Sequence, residues 1–252
     1  MGTSRSDADP DTRTRIVLAA GELFAQRGLD GVGVRDIVTR AGVALSAVNY
    51  HFGSKTELYT ACLRYVLEEH IHVTRLFDAL IQDPGDRSAA DTVAALLDGA
   101  RAFVSATFAA EQPEWFGRIF MRAWLELPAK QFALLRDTLA PLDDALRRLA
   151  GRHRPDLSRT QVQIMINGLY AKVHMSMLAK DVILEDLACA DYDAHYLAGL
   201  ALDVARGVTS TLGLPDPATI HGAGRAGGEI DAGPAPGAAG AEKRPERNGA
   251  HG

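Results

Sequence analysis

Apolar residues recur along this chain with the spacing of helices, and no segment shows the strict alternation typical of a strand. In residues 14–27 they fall at i, i+3, i+4, i+7 and i+8, which places one apolar stripe on an amphipathic helix ended by Gly28. Similar stretches, interrupted by proline and glycine, predict six more helices and an all-α fold of about nine in total. These stretches are residues 54–80, 88–110, 114–127, 129–149 (with Pro141 kinking or dividing it), 158–180 and 192–212.

Two short helices are predicted between the first helix and residue 54. Residues 35–41 form the first, and Gly42 ends it, since a left-handed residue there costs no Cβ clash. In the second, residues 46–51, Val48 and Phe52 lie four apart and can pack inward together. Such a pair is typical of a helix-turn-helix that enters the DNA major groove, although an ordinary helical hairpin gives the same pattern.

Composition divides the chain into four segments. Residues 1–11 are polar and acidic, and we expect a disordered arm there. Residues 12–58 form the predicted DNA-binding domain, and residues 59–213 a helical domain for effector binding and dimerisation. From residue 214 to residue 252 the chain turns to Gly, Ala, Pro and charge, which predicts a disordered tail.

Charge is distributed unevenly between these segments. The whole chain carries a net charge of −5, but residues 13–65 contain seven basic and four acidic residues. That local excess of three positive charges leaves a net charge of about −8 on the rest of the chain. Such a distribution fits a basic DNA-binding domain attached to an acidic second domain. The two cysteines, Cys62 and Cys189, lack CxxC spacing, and no segment has the length of a membrane span. We therefore expect a cytoplasmic protein that contacts no membrane.

The motifs of the first quarter of the chain sharpen this prediction. Residues 12–63 contain LFAQRG, VRDI, RAGV and YHFGSKTEL at fixed spacing, and Ser54 to Glu57 forms a capping box. This segment closely resembles the N-terminal domain of the tetracycline-repressor (TetR) family of bacterial regulators. The variant VNYHFGSK resembles one subgroup of that family, and residues 119–146 show a weaker similarity to the C-terminal domain of the same subgroup.

The resemblance implies a homodimer that binds a palindromic operator on double-stranded DNA, as a repressor by default, and is released by a small molecule. It implies base or phosphate contact for Arg35 and adenine readout for Asn49. Ala44 and Gly33 depart from the family pattern, because serine or threonine usually caps the helices at those positions. The full predicted DNA-contacting set is Arg35, Leu45, Ser46, Asn49, Tyr50, His51 and Lys55.

Aromatic residues and methionines are concentrated in the middle helices, which suits an adaptable and largely apolar effector cavity. A plain helix-bundle core is the alternative for most of them. Arg122 and Glu126 are further candidates for polar contacts with the ligand. The predicted ligand-binding set is Phe103, Trp115, Phe120, Met121, Trp124, Asn167, Tyr170 and His174.

The last two long helices are predicted to form the dimer interface. Their apolar positions could serve either that interface or the subunit's own core, and the sequence does not separate the two. The candidates on the first of them are Val162, Met165, Leu169, Val173 and Met177, with Gly168 allowing close approach; those on the second are Tyr196, Leu197, Leu200, Asp203, Val204, Gly207 and Val208.

Other classes of protein are less favoured by the sequence. It contains no HExxH, Walker or GxSxG motif, and its acidic pairs are adjacent residues that diverge on their helices. We therefore expect no catalytic site, cofactor or metal. An enzyme without a recognisable motif and a helical dimeric adaptor remain the alternatives to a regulator.

Overall fold

The structure is a computed structural model, which describes residues 11–68, 72–109, 112–126 and 129–222. Within these ranges the chain forms thirteen helices and no strand, in keeping with the predicted all-α class. The helices are α1 Thr12–Arg27, α2 Val34–Ala41, α3 Leu45–Phe52, α4 Lys55–Val66, α5 Val73–Leu76, α6 Asp78–Ile81, α7 Ala89–Thr107, α8 Trp115–Glu126, α9 Ala129–His153, α10 Arg159–Leu178, α11 Lys180–Asp186, α12 Ala194–Leu212 and α13 Pro217–Gly222.

Helices α1 to α4 form the N-terminal domain. Asp11 caps α1 by accepting a hydrogen bond from the Thr14 amide at 2.8 Å, and Ser54 caps α4 through the Glu57 amide at 3.2 Å. The predicted apolar stripe of α1 is buried, and Phe24 packs edge-on against a tyrosine of α4 with ring centroids 5.1 Å apart. Helix α1 thereby serves as the support on which α2 and α4 rest.

The C-terminal domain is a bundle in which α12 packs between α7 and α10, while α9 covers α5 and α6. Helix α8 packs on α1 and α4 with one side and on α9 and α10 with another. The buried apolar residues form one continuous core through both domains. Helix α8 therefore contacts both the C-terminal bundle and two helices of the domain that carries α3.

The prediction of one helix over residues 54–80 is wrong. Helix α4 ends at Val66, and two four-residue helices, α5 and α6, follow His72. His72 adopts a left-handed conformation with φ 39°, which a continuing right-handed helix excludes. The turn lets both Leu67 and Val73 face the interior, where each is only 3% exposed.

Three other details differ from the sequence-based prediction. Of the two outcomes predicted for Pro141, division of the helix does not occur: α9 runs from Ala129 to His153 with the proline inside it, and the nearby Leu139 and Leu142 are buried. Helix α11 was not predicted. Helix α13 occupies residues 217–222 of the segment expected to be disordered, where Asp216 accepts from the Ala218 amide at 2.9 Å. Residues 223–252 and the predicted arm at 1–10 lie outside the described residues.

Candidate DNA-binding surface and ligand cavity

The turn between α2 and α3 fixes the angle of the two helices. Gly42 has φ 65° and ψ 40°, and the Val43 amide donates back to the Val38 carbonyl at 3.1 Å. Ile37 on α2 and Val48 on α3 are fully buried against the rest of the domain. Burial of Val48 fixes which face of α3 turns outward, because neighbouring positions on a helix differ by about 100°.

The outward face of α3 carries the residues predicted to contact DNA. Tyr50 is 86% exposed and Leu45 50% exposed, although both are large apolar or aromatic side chains. The rings of Tyr50 and His51 meet edge to face with centroids 5.0 Å apart, and His51 is also exposed. The predicted contact residues that are exposed are Arg35, Leu45, Ser46, Asn49, Tyr50 and His51.

The two predicted cationic contacts differ in their surroundings. Arg35 is exposed, and within the described part of the chain no acidic side chain pairs with it. By contrast, Arg27 pairs with Asp36 at 3.5 Å and Arg40 with Glu22. Lys55 is half-buried, and its Nζ donates to the Val32 carbonyl oxygen at 3.1 Å. Lys55 therefore ties α4 to the loop before α2, a structural role that the sequence did not indicate.

The two unusual helix caps are visible in the structure. Ala44 makes no side-chain hydrogen bond at the start of α3. At the start of α2, the amide of Gly33 donates to Asp36 Oδ2 at 3.4 Å, so a side chain from the first turn of the helix caps this end. The start of α3 consequently leaves backbone N–H groups available to an anion such as a DNA phosphate.

A small cavity lies in the C-terminal domain among α5, α7, α8, α9 and α10, with Leu67 at the end of α4 also on its wall. Its free volume is about 10 Å³, close to the least that holds one water molecule. A larger ligand can bind only if the walls move apart. The lining residues are Leu67, Val73, Phe103, Thr107, Phe120, Leu139, Tyr170, His174 and Met177.

Aromatic rings cluster around His174 at this cavity. Its ring centroid lies 5.2 Å from that of Phe120, 5.6 Å from that of Trp124 and 6.2 Å from that of Tyr170. Burial lowers the pKa of His174 to about 4, so the imidazole is neutral near pH 7. The Tyr170 hydroxyl donates to Asp143 at 2.9 Å, and burial raises the pKa of that carboxyl group.

The structure places four of the eight predicted ligand residues at the cavity, namely Phe103, Phe120, Tyr170 and His174, with Trp124 beside them. Met121 packs against the core without lining the cavity. Asn167 lies elsewhere: it is exposed and accepts from Gln163 at 3.0 Å. The side chain of Glu126 lies outside the described residues. The predicted ligand-binding set did not include the remaining lining residues, which are Leu67, Val73, Thr107, Leu139 and Met177. Their spacing along the helices is the same for a residue that lines a cavity and for one that fills the core.

Trp115 and Arg122, also predicted at the ligand, instead join α8 to α1. A Cβ atom on Gly21 would lie 2.3 Å from the Trp115 ring, so the glycine permits close approach of the two helices. Arg122 Nε donates to the Ala25 carbonyl at 2.8 Å, and its Nη2 donates to the Gln26 carbonyl at 3.1 Å. Favourable interaction of a cation with the C-terminal end of α1 adds to these bonds.

Other chemistry has little support in the described part of the chain. No group of histidine, cysteine or acidic residues is placed there to hold a metal ion. Cys62 is fully buried, its Sγ donates to the Val17 carbonyl at 3.4 Å, and burial raises its thiol pKa. No helix among the described residues is long and apolar enough to cross a membrane.

Comparison with known proteins agrees with this geometry. Residues 16–62 match the sequence profile of "Bacterial regulatory proteins, tetR family". The transcriptional activator FasR of Mycolicibacterium smegmatis is 39% identical over 61 residues, which are 24% of this chain and 26% of FasR. The transcriptional regulator TtgR of Pseudomonas putida is 38% identical over 65 residues, 26% of this chain and 31% of TtgR. These matches identify residues 16–62 as a TetR-type helix-turn-helix domain.

The rest of the chain resembles solved structures in fold alone. A TetR-like transcriptional regulator from Rhodococcus sp. RHA1 superposes with a TM-score of 0.52 at 16% identity, over 79% of this chain and 96% of that one. The present chain spans only about a quarter to a third of the length of the curated relatives it matches. Those relatives are regulators, so the comparisons give the enzyme alternative no support.

Proposed function

We propose that this protein is a ligand-responsive transcriptional regulator, acting as a repressor. It binds a palindromic operator as a homodimer and leaves the DNA when a small, largely apolar molecule occupies the cavity. One observation carries the proposal: α3 buries Val48 and presents Ser46, Asn49 and Tyr50 on the outer face of a helix-turn-helix domain. Large exposed groups such as Tyr50 cost solvation energy in an isolated domain, which contact with DNA would recover.

On DNA, α3 is expected to enter the major groove. Asn49 has an amide that can donate to and accept from the edge of adenine, which makes it the candidate for direct base readout. Arg35, which pairs with no acidic side chain among the described residues, is the candidate for a guanine or a phosphate. Further contacts, to sugars, phosphates or base methyl groups, come from Leu45, Ser46, Tyr50 and His51. The ammonium group of Lys55 has three N–H donors, and one of them bonds to the Val32 carbonyl. Either of the other two can donate to a phosphate.

The small area of the DNA-contacting surface in one subunit implies a dimer. One module of this kind buries about 600–1,000 Å² on DNA, too little for tight specific binding at physiological salt. Dimeric readers place their two recognition helices about 34–36 Å apart, one turn of the duplex. The protein therefore needs a surface that pairs two copies.

We propose that α10 supplies this surface, largely through residues other than those listed from the sequence. Three of its candidate residues, Met165, Leu169 and Val173, are buried in the subunit's own core. Four large apolar side chains on α10 and α11 instead lie 57–65% exposed along one stripe, namely Ile164, Met175, Leu178 and Val182. Successive members of this set are separated by eleven, three and four residues. Gly168 lies on this stripe with open space above it, which allows close approach. The stripe consists of Ile164, Gly168, Ala171, Met175, Leu178 and Val182.

Helix α12 can contribute its outer face to the same interface. Val204 and Val208 are buried in the core, whereas Gly199 is exposed, and a Cβ atom added to it would meet no other atom within 4 Å. Asp203 is also exposed and pairs with Lys172 of α10 at 2.6 Å, which fixes the two helices side by side. We therefore propose that the dimer contact consists of the exposed stripe of α10 and α11 and the outer face of α12 around Gly199.

Release from DNA is explained by the two helices that reach both regions. Helix α8 lines the cavity through Phe120 and holds α1 through Arg122. Leu67, which directly follows α4, lines the cavity, and Lys55 begins the same helix. At 1.5 Å per residue, the two ends of α4 are about 18 Å apart. Because the empty cavity is nearly closed, a ligand must displace these helices, and the two copies of α3 change their separation.

A binding assay tests the proposal. Labelled DNA from the region beside the gene should be shifted by nanomolar protein, and competitor DNA of random sequence should not abolish the complex. Added salt should weaken it steeply, since each phosphate contact contributes a slope of about −0.9 in log K against log salt. A dimeric adaptor would remain dimeric and shift no DNA, and that outcome would overturn the proposal.

A further inference from the structure

The walls of the cavity carry no net charge near neutral pH. Six of the nine lining side chains are apolar, and the other three are Thr107, Tyr170 and His174. With its pKa lowered to about 4 by burial, His174 is neutral there. The carboxylate of Asp143 is shielded from the cavity by the Tyr170 hydroxyl, and it also faces Arg147 at 3.7 Å. An ionic ligand would meet no opposite charge in compensation for its lost hydration.

Most polar groups of the walls already have partners. Thr107 donates to the Phe103 carbonyl at 2.8 Å, and Tyr170 donates to Asp143. Two groups differ. The indole Nε1 of Trp124 is buried, and it bonds to no atom in the described ranges. His174, whose ring lies 5.6 Å from that of Trp124, also makes no hydrogen bond with the described residues.

A buried donor without a partner lowers stability unless something supplies an acceptor. Trp124 and His174 lie on different helices, α8 and α10, and Phe120 of the cavity wall contacts both rings. One oxygen atom between them could accept the indole proton and also bond to the neutral imidazole, which offers one donor and one acceptor. The three rings around His174, those of Phe120, Trp124 and Tyr170, favour an aromatic or flat apolar body for the remainder of the ligand.

Resting on the proposed function, and naming the effector class for the same cavity, we propose that the effector is an uncharged, ring-containing molecule with a carbonyl or hydroxyl oxygen that accepts a hydrogen bond from Trp124 Nε1. Met177 is the wall residue best suited to move, because its unbranched chain has three rotatable bonds. Its displacement would enlarge the cavity along α10.

Three small probes of similar size test this proposal: acetophenone, ethylbenzene and benzoate. Their affinities for the full chain can be measured at pH 7.5 by ligand-observed NMR. Acetophenone should bind about fivefold or more tightly than ethylbenzene, through the added hydrogen bond, and benzoate should bind most weakly. Trp124→Phe keeps an aromatic ring but removes the donor, so it should reduce acetophenone to the affinity of ethylbenzene. Trp115→Phe, the matched control, changes the tryptophan that packs on Gly21 and should keep the preference.

Several outcomes would overturn the effector class. These are tighter binding of benzoate than of acetophenone, an unchanged preference in Trp124→Phe, or no binding of any probe up to its solubility. Operator binding by the wild-type protein, measured separately, distinguishes the two proposals. Specific DNA binding without the probe preference would reject only the effector class. The probe preference without DNA binding would support the site and reject the regulator.

Discussion

Arg122 and Ala25 lie almost a hundred residues apart in the sequence, yet the guanidinium of the first donates to the carbonyl oxygen of the second at 2.8 Å. Arg122 is on α8, whose Phe120 lines the cavity, and Ala25 is in the last turn of α1, which supports α2. This contact is a direct mechanical connection between the two regions that a regulator must couple. Substitution of Arg122 tests that coupling.

Replacing Arg122 with methionine should loosen α1 from α8. The apolar stem remains, while the hydrogen bonds to Ala25 and Gln26 are lost, at a cost of about 2–3 kcal/mol in the free energy of unfolding. Hydrogen–deuterium exchange of residues 20–31 should become faster. Arg118→Met is the matched control, because Arg118 is exposed on the same helix and pairs with Glu114 at 3.4 Å. Equal exchange in both variants would contradict a specific role for Arg122.

Arg35 and Lys55 should behave differently when replaced by alanine. Loss of Arg35 should flatten the salt slope of DNA binding by about one unit if it contacts a phosphate, and leave the melting temperature unchanged. Loss of Lys55 should flatten the slope similarly but also lower the melting temperature, because its bond to the Val32 carbonyl is lost. Fluorescence anisotropy across salt concentrations and thermal unfolding measure the two effects. An unchanged salt slope in both variants would reject the assigned phosphate contacts.

Acid should destabilise the protein partly through His174. Its pKa is lowered from 6.5 to about 4 in the fold, so the unfolded chain binds more protons between these values and stability falls as the pH drops through them. Between pH 7.5 and 5.0, this group should contribute a loss of about 2 kcal/mol. Urea unfolding at both pH values should show that loss in the wild type and lack it in His174→Gln. Asp143 acts in the opposite direction but is common to both proteins.

The exposed stripe of α10 and α11 should hold the dimer together. Met175→Glu places a charge at its centre, where burial against a second copy would be costly, and should give monomers in sedimentation velocity at micromolar concentration. Leu125→Glu is the matched control, since Leu125 is 71% exposed on α8, outside the stripe. A Met175→Glu dimer as stable as the wild type would move the interface elsewhere.

The sequence predicted the fold class and the helix-turn-helix well, because both depend on local signals. Apolar spacing, Gly42 and the Ser54 cap determine α1 to α4 without reference to distant residues. The break at His72 was missed, since a left-handed conformation at a histidine depends on tertiary packing of Leu67 and Val73. For the same reason, the sequence did not separate core from interface positions on α10, where Met165, Leu169 and Val173 are buried in the subunit's own core: both kinds of position share one apolar chemistry.

The cavity was predicted only in part, and for a physical reason. Aromatic density located the right helices, but it also selected Trp115, whose ring fills the space over Gly21 instead. Asn167 was chosen as a polar residue on an apolar helix, yet it lies on the exposed side. Side-chain type indicates what a residue can do, whereas the direction in which it points depends on helix packing across the whole bundle.

Selection of binding sites from random-sequence DNA by the purified full-length protein tests the central claim most directly. The account predicts enrichment of an inverted repeat whose half-sites lie about one helical turn apart. The same selection with Asn49→Ala should relax the preference at one base pair in each half-site and cost about 1–3 kcal/mol on the wild-type sequence. Enrichment of no sequence by the wild-type protein, or of one without two-fold symmetry, would contradict a dimeric operator-binding regulator.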